Sequence, residues 1–124
     1  MSYREFFVKL NNQKIYRIAF GLYLIAILAA SSIPGRSMPK IIILSPDKLL
    51  HMTEYFILAI LAYLSFKKFS KSLIIGLILF AIMDEIFQSF IPGRSPSVFD
   101  VIADILGMTI VITTVYFRSL KDHD

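Results

Sequence analysis

Four apolar stretches take up most of this 124-residue chain, and each approaches or exceeds the roughly 17–25 residues that cross hydrocarbon. They run over 16–33, 48–66, 72–91 and 98–117. A soluble domain this short cannot hide that much apolar surface: 56% of the residues are hydrophobic and the mean hydropathy is +0.70. Hydrocarbon as the solvent removes the conflict, because a helix satisfies its own backbone polar groups there. The sequence therefore predicts an all-α integral membrane bundle of four transmembrane helices. No linker or shift in composition divides it, so 1–124 reads as one domain. The first stretch has the outline of a signal peptide, with Lys14 and Arg17 before it and Ala29-Ala30-Ser31 near its end. Three further stretches follow it, and it reads as a retained anchor.

Before that stretch, Tyr3, Phe6, Phe7 and Leu10 recur at helical spacing, with Arg4, Glu5 and Lys9 between them. The pattern fits a short interfacial helix, and a frayed terminus is the alternative. Cysteine is absent, which excludes disulfides, thiol nucleophiles and cysteine metal sites. The net charge of +4 suggests nucleic acid until the charges are placed. They lie mostly in short segments between apolar spans, so no nucleic-acid partner is expected. Arg4, Lys9, Lys14, Arg17, Lys67, Lys68, Lys71, Arg118 and Lys121 fall on one side of an alternating four-span chain. Arg36, Lys40, Lys48 and Arg94 fall on the other. The positive-inside rule then puts both termini in the cytoplasm.

The acidic residues gather on the outer side. Asp47, Glu54, Asp84, Glu85, Asp100 and Asp104 all belong there, together with His51, Gln88 and Arg94. They come from the start of span two, the end of span three and the start of span four, which an antiparallel bundle brings to one face. At about 1.5 Å of rise per residue, Glu54 lies roughly 10 Å below Asp47, Glu85 about 9 Å below Ile91, and Asp104 about 9 Å below Val98. A carboxylate at the centre of a lipid-exposed helix costs on the order of 2.5–3.5 kcal/mol, so groups at one depth are better placed facing each other or a wet cleft.

Plainer readings stand beside these. Asp47 after Ser45-Pro46, and Asp100 three residues after Ser97, fit first-turn carboxylates of capped helices. Arg36, Lys48 and Arg94 fit snorkelling cations. A lone histidine is ordinarily a packing residue, but His51 has Asp47 four residues before it and Glu54 three after, on one face. Glu54, Asp84, Glu85 and Asp104 lie too deep for capping, and their plain alternative is a structural ion-pair cluster. Asp84 and Glu85 stand about 100° apart on a helix, which leaves open which of them faces the cleft. Ile33-Pro34-Gly35-Arg36-Ser37 recurs as Ile91-Pro92-Gly93-Arg94-Ser95, a trace that a duplicated hairpin would leave. The apolar run 40–44 between Pro39 and Pro46 fits a segment dipping into the outer leaflet, or an ordinary loop.

These residues resemble the VanZ-like family. Its pattern is carried by Asp47-Lys48-Leu49-Leu50-His51 with Tyr55, by the run from Asp84-Glu85 through Gln88 to Pro92-Gly93-Arg94, and by Asp100, Ala103 and Gly107. The likeness spans about 32–107. It departs at Asp104, where the family usually carries asparagine, so a neutral amide becomes a potential charge. The resemblance implies an integral protein of the bacterial cytoplasmic membrane, in a family named for a member linked to glycopeptide resistance, notably to teicoplanin.

Three functions fit the convergence. In the first, the chain is an enzyme acting on a lipid-linked phosphate or headgroup of an envelope precursor. Lys48, Arg94 and Gln88, with Arg36, would hold the headgroup. His51, oriented by Glu54 or Asp47, would be the acid/base or nucleophile. Asp84, Glu85 and Asp104 could bind a divalent cation such as magnesium, manganese or calcium, and Asp100 and Asp104, four apart, share a helix face as two ligands would. In the second, the cleft binds a membrane lipid or a glycopeptide without chemistry. The third, ion-coupled transport, is disfavoured because the inner half of every span reads apolar, whereas transport sites lie near the midplane.

Overall fold

The computed structural model describes residues 2–34, 46–94 and 97–122, with backbone alone at 6, 7, 9–11, 46 and 47. Arg36, Ser37, the 40–44 run, Ser95 and the Asp47 side chain lie outside the described residues. All regular structure among those described is helical. Helix α1 spans Tyr3–Ser31, α2 Pro46–Phe66, α3 Lys71–Gln88 and α4 Val98–Asp122.

The expected interfacial helix and the first span form one helix of 29 residues, not two elements. A capping box starts it early: Glu5 N–H donates to Ser2 Oγ (3.2 Å), and Ser2 N–H donates to Glu5 Oε2 (2.9 Å). Between Leu10 and Tyr16 there is no proline or glycine to stop it. Helix α2 begins with Pro46, whose ring pre-sets a helical φ. It ends at Lys67, a non-glycine residue at φ 65°, whose N–H donates to Tyr63 O at 2.7 Å. Gln13 Nε2 and Arg17 Nε both donate to the Ser65 carbonyl (3.0 and 3.2 Å), tying α1 to that end of α2. Ser70 caps α3 by accepting from Leu73 N–H at 3.2 Å.

Around the bundle the helices follow the order α1, α2, α4, α3, each packing on the next and α3 closing on α1. The α2–α4 seam is the most extensive. Gly107 makes it possible, since a Cβ there would collide with the carbonyl oxygen of Met52. Buried Ala59, Ala62, Ala81 and Ala103 also let backbones approach. Helices α2 and α3 sit diagonally and meet through long side chains, such as the rings of Tyr55 and Phe80, 6.3 Å apart.

Among the described residues, three helices are long and apolar enough to cross a membrane: Asn12–Ser31, Lys48–Phe66 and Val98–Asp122. The fourth expected span is corrected on this measure. Helix α3 has 18 residues, ending at Gln88 and not at Ile91, and it holds Lys71, Asp84 and Glu85. Its charges are not spread around it, however. Ile75, Leu79, Ile82, Met83 and Ile86 face outward, while Leu77, Ala81, Asp84, Glu85 and Gln88 are buried. Polar groups inside and aliphatic groups outside is the arrangement that hydrocarbon favours.

Candidate functional site

The start of α2, the end of α3 and the start of α4 meet at one end of the bundle, and their polar residues form two buried groups. In the first, His51 Nδ1 lies 2.9 Å from Asp104 Oδ1, with both side chains buried. The roles in this contact follow the protonation state: with Asp104 ionised, Nδ1 carries the proton and Nε2 the lone pair. Glu85 completes the group: one donor atom from each of His51, Glu85 and Asp104 lies within 4.8 Å of the others. The Ser97 backbone N–H donates to Glu85 Oε1 at 2.8 Å. At the rim, the half-buried Lys48 Nζ donates to Asp100 Oδ1 at 2.5 Å.

The second group surrounds Asp84. Ser31 Oγ–H donates to Oδ1 (2.5 Å), and Tyr55 O–H donates to Oδ2 (3.1 Å). Gln88 Nε2 donates to Ser31 Oγ (3.2 Å) and, more weakly, to Asp84 Oδ2 (3.5 Å). One carboxylate thus joins α1, α2 and α3.

Both carboxylates of the Asp84-Glu85 pair are therefore buried, each in its own group, as their angular offset on the helix allows. His51 meets Asp104 of α4, a contact that the sequence reading, centred on Asp47 and Glu54 of its own helix, does not contain. Glu54 is half-buried, and its backbone carbonyl accepts from Tyr23 O–H at 2.9 Å. Asp100 and Asp104 share a face, as their spacing predicts, but they part company there. Asp104 turns to His51 and Asp100 to Lys48. Ser97 caps α4, accepting on Oγ from Phe99 N–H at 3.1 Å. Arg94 reaches α1: Nε donates to Ile33 O and Nη2 to Ala30 O, each at 2.8 Å, so two arms of its fork close the C-terminus of α1.

Sequence reasoning overlooked Ser31 and left Tyr55 without a role. Tyr55 stands one helical turn after His51, and a serine inside an apolar span is a signal for a hydrogen bond between helices. Neither signal names Asp84 as the partner, because that requires knowing that α3 lies across the bundle from α2.

The family profile described as VanZ/LLP1 matches residues 4–119. No curated protein and no solved structure matches the chain.

Proposed function

The chain belongs to the VanZ/LLP1 family, and from that premise we propose that it acts on a lipid-linked phosphate through a polar cleft at the outer end of its bundle. The observation that carries this reading is the buried His51–Asp104 pair. A histidine held by a carboxylate at Nδ1 has Nε2 directed to accept a proton, and the carboxylate stabilises the imidazolium that results. In hydrolysis, Nε2 takes a proton from water as the water oxygen bonds to phosphorus. The bond to the leaving oxygen breaks, and that oxygen takes the proton from imidazolium. Lys48, at the rim, is the cation best placed to hold phosphate oxygens, exchanging Asp100 for substrate.

In this reading α3 is the fourth span, with its charges turned inward. Both termini are cytoplasmic, and the membrane is the bacterial cytoplasmic membrane. The second reading, binding of an envelope lipid or a glycopeptide without chemistry, draws on the burial of His51, which is 6% exposed.

The two separate with purified protein in nanodiscs, assayed for phosphate release or headgroup transfer from envelope lipid phosphates. Turnover by the wild type, abolished in a folded His51→Ala variant, is the expected result. Normal complementation by His51→Ala would reject catalysis by that residue and leave binding ahead.

A further inference from the structure

We infer that His51, Glu85 and Asp104 form a binding site for one divalent transition cation, of the manganese or zinc class. Asp104 Oδ2 and Glu85 Oε2 are both buried, and neither has a hydrogen-bond partner among the described residues. The two side chains are 0% and 7% exposed, so solvent does not satisfy those oxygens. A buried carboxylate oxygen without a donor is costly, and two carboxylates in one buried cluster repel each other as well. A cation between them answers both problems.

The geometry suits this. Three atoms no farther apart than 4.8 Å have a point within about 2.8 Å of all of them. Ligation at roughly 2.0–2.2 Å closes that by about 0.6–0.8 Å, within reach of small side-chain rotations. The 2.9 Å between His51 Nδ1 and Asp104 Oδ1 also fits two neighbouring ligands on one metal, once the Nδ1 proton has left. The donor set selects the class. An imidazole beside two carboxylates suits manganese, iron or zinc, whereas magnesium and calcium prefer oxygen alone. Asp100 lies outside this cluster of three, with Oδ1 on Lys48 Nζ. With the cation on Nδ1, Nε2 carries the proton, so His51 serves either as ligand or as the base of the hydrolysis above, not as both at once.

The site stands on the arrangement of three side chains, and its test does not require turnover. Full-length protein in nanodiscs, stripped with chelator, is titrated with Mn2+. Bound ion is read from loss of the free Mn2+ signal in electron paramagnetic resonance and from elemental analysis, against nanodiscs of the same lipid alone. One Mn2+ per chain is expected, with affinity at least tenfold weaker in Glu85→Gln and Asp104→Asn and unchanged in Asp100→Asn. Asp104→Asn keeps an oxygen that accepts from His51 Nδ1–H, which preserves the fold contact while removing the charge. Should the variants not fold, the wild type still decides: saturating Mn2+ must raise its Tm. No binding beyond the lipid control, no rise in Tm, or equal affinity in all three variants would overturn the site. Mg2+ competing as well as Zn2+ would overturn the metal class. Phosphate release that survives complete stripping would refute a catalytic metal and leave the binding result intact. A stoichiometric site in an inactive protein would do the reverse.

Discussion

Gly107 of α4 lies against the backbone of Met52 in α2, so closely that an added Cβ would stand 3.0 Å from the Met52 carbonyl carbon and overlap its oxygen. Met52 adjoins His51, and Gly107 is three residues beyond Asp104, so this close approach also helps hold the His51–Asp104 pair at hydrogen-bond length. Gly107→Ala must push the two helices apart. The expected loss is about 1–3 kcal/mol, the usual range for overpacking, and backbone atoms cannot yield as a flexible side chain does. Denaturation in detergent measures it. Leu106→Ala, at an exposed neighbour, is the control that should leave stability nearly unchanged.

Asp84 accepts from Ser31 of α1 and Tyr55 of α2, so its removal should loosen three helices at once. Asp84→Ala strands buried donors and is expected to cost about 3 kcal/mol. Tyr55→Phe removes one donor and should cost roughly 1 kcal/mol, since single interhelical bonds in membranes are modest. Equal effects of the two variants in detergent unfolding would show that Asp84 does not join the helices as described.

Arg94 spends two arms of its guanidinium on the carbonyls of Ala30 and Ile33. Lysine cannot reproduce that fork. Arg94→Lys is therefore expected to lose about 1–3 kcal/mol of stability. Turnover per folded molecule should hold. A variant of wild-type stability with impaired turnover would instead assign Arg94 to the substrate.

Orientation is testable without background labelling, because the chain has no cysteine. Ser37→Cys and Ser95→Cys should react with an impermeant thiol reagent in intact cells. Ser70→Cys, at the cap of α3, should react only after permeabilisation. Reaction of the Ser70 variant alone in intact cells would invert the topology.

Much of this architecture is legible in the residues, and what is not has a physical reason. Apolar length identifies the four helices, and depth brings Glu54, Glu85 and Asp104 to one level, with His51 one turn nearer the rim, because rise per residue is nearly invariant. Which side chains pair is another matter. The i±3 and i±4 relations draw His51 toward Asp47 and Glu54, and they do not reveal Asp104 of α4, which lies 2.9 Å from it. Contacts between helices depend on their order around the bundle and on rotation about each axis, and neither has a period that a single sequence displays. The N-terminal segment misleads for a local reason: Ser2 and Glu5 set a cap early enough that an amphipathic start runs on into an apolar span. Arg94 reads as a headgroup ligand because a cation after Pro-Gly at a helix end snorkels in either case. Only the nearby end of α1 distinguishes the two uses.

Asp84 also bears on how the chain is made. Helix α3, with Lys71, Asp84 and Glu85, is the segment that an insertion machine testing one helix at a time would favour least. Its answering groups, Ser31 and Tyr55, belong to α1 and α2, which leave the ribosome first. By the time α3 emerges, donors for its carboxylate are already in the bilayer. The order of synthesis thus matches the order of need. Placed alone between soluble reporters, α3 should be left in the aqueous phase far more often than when α1 and α2 precede it.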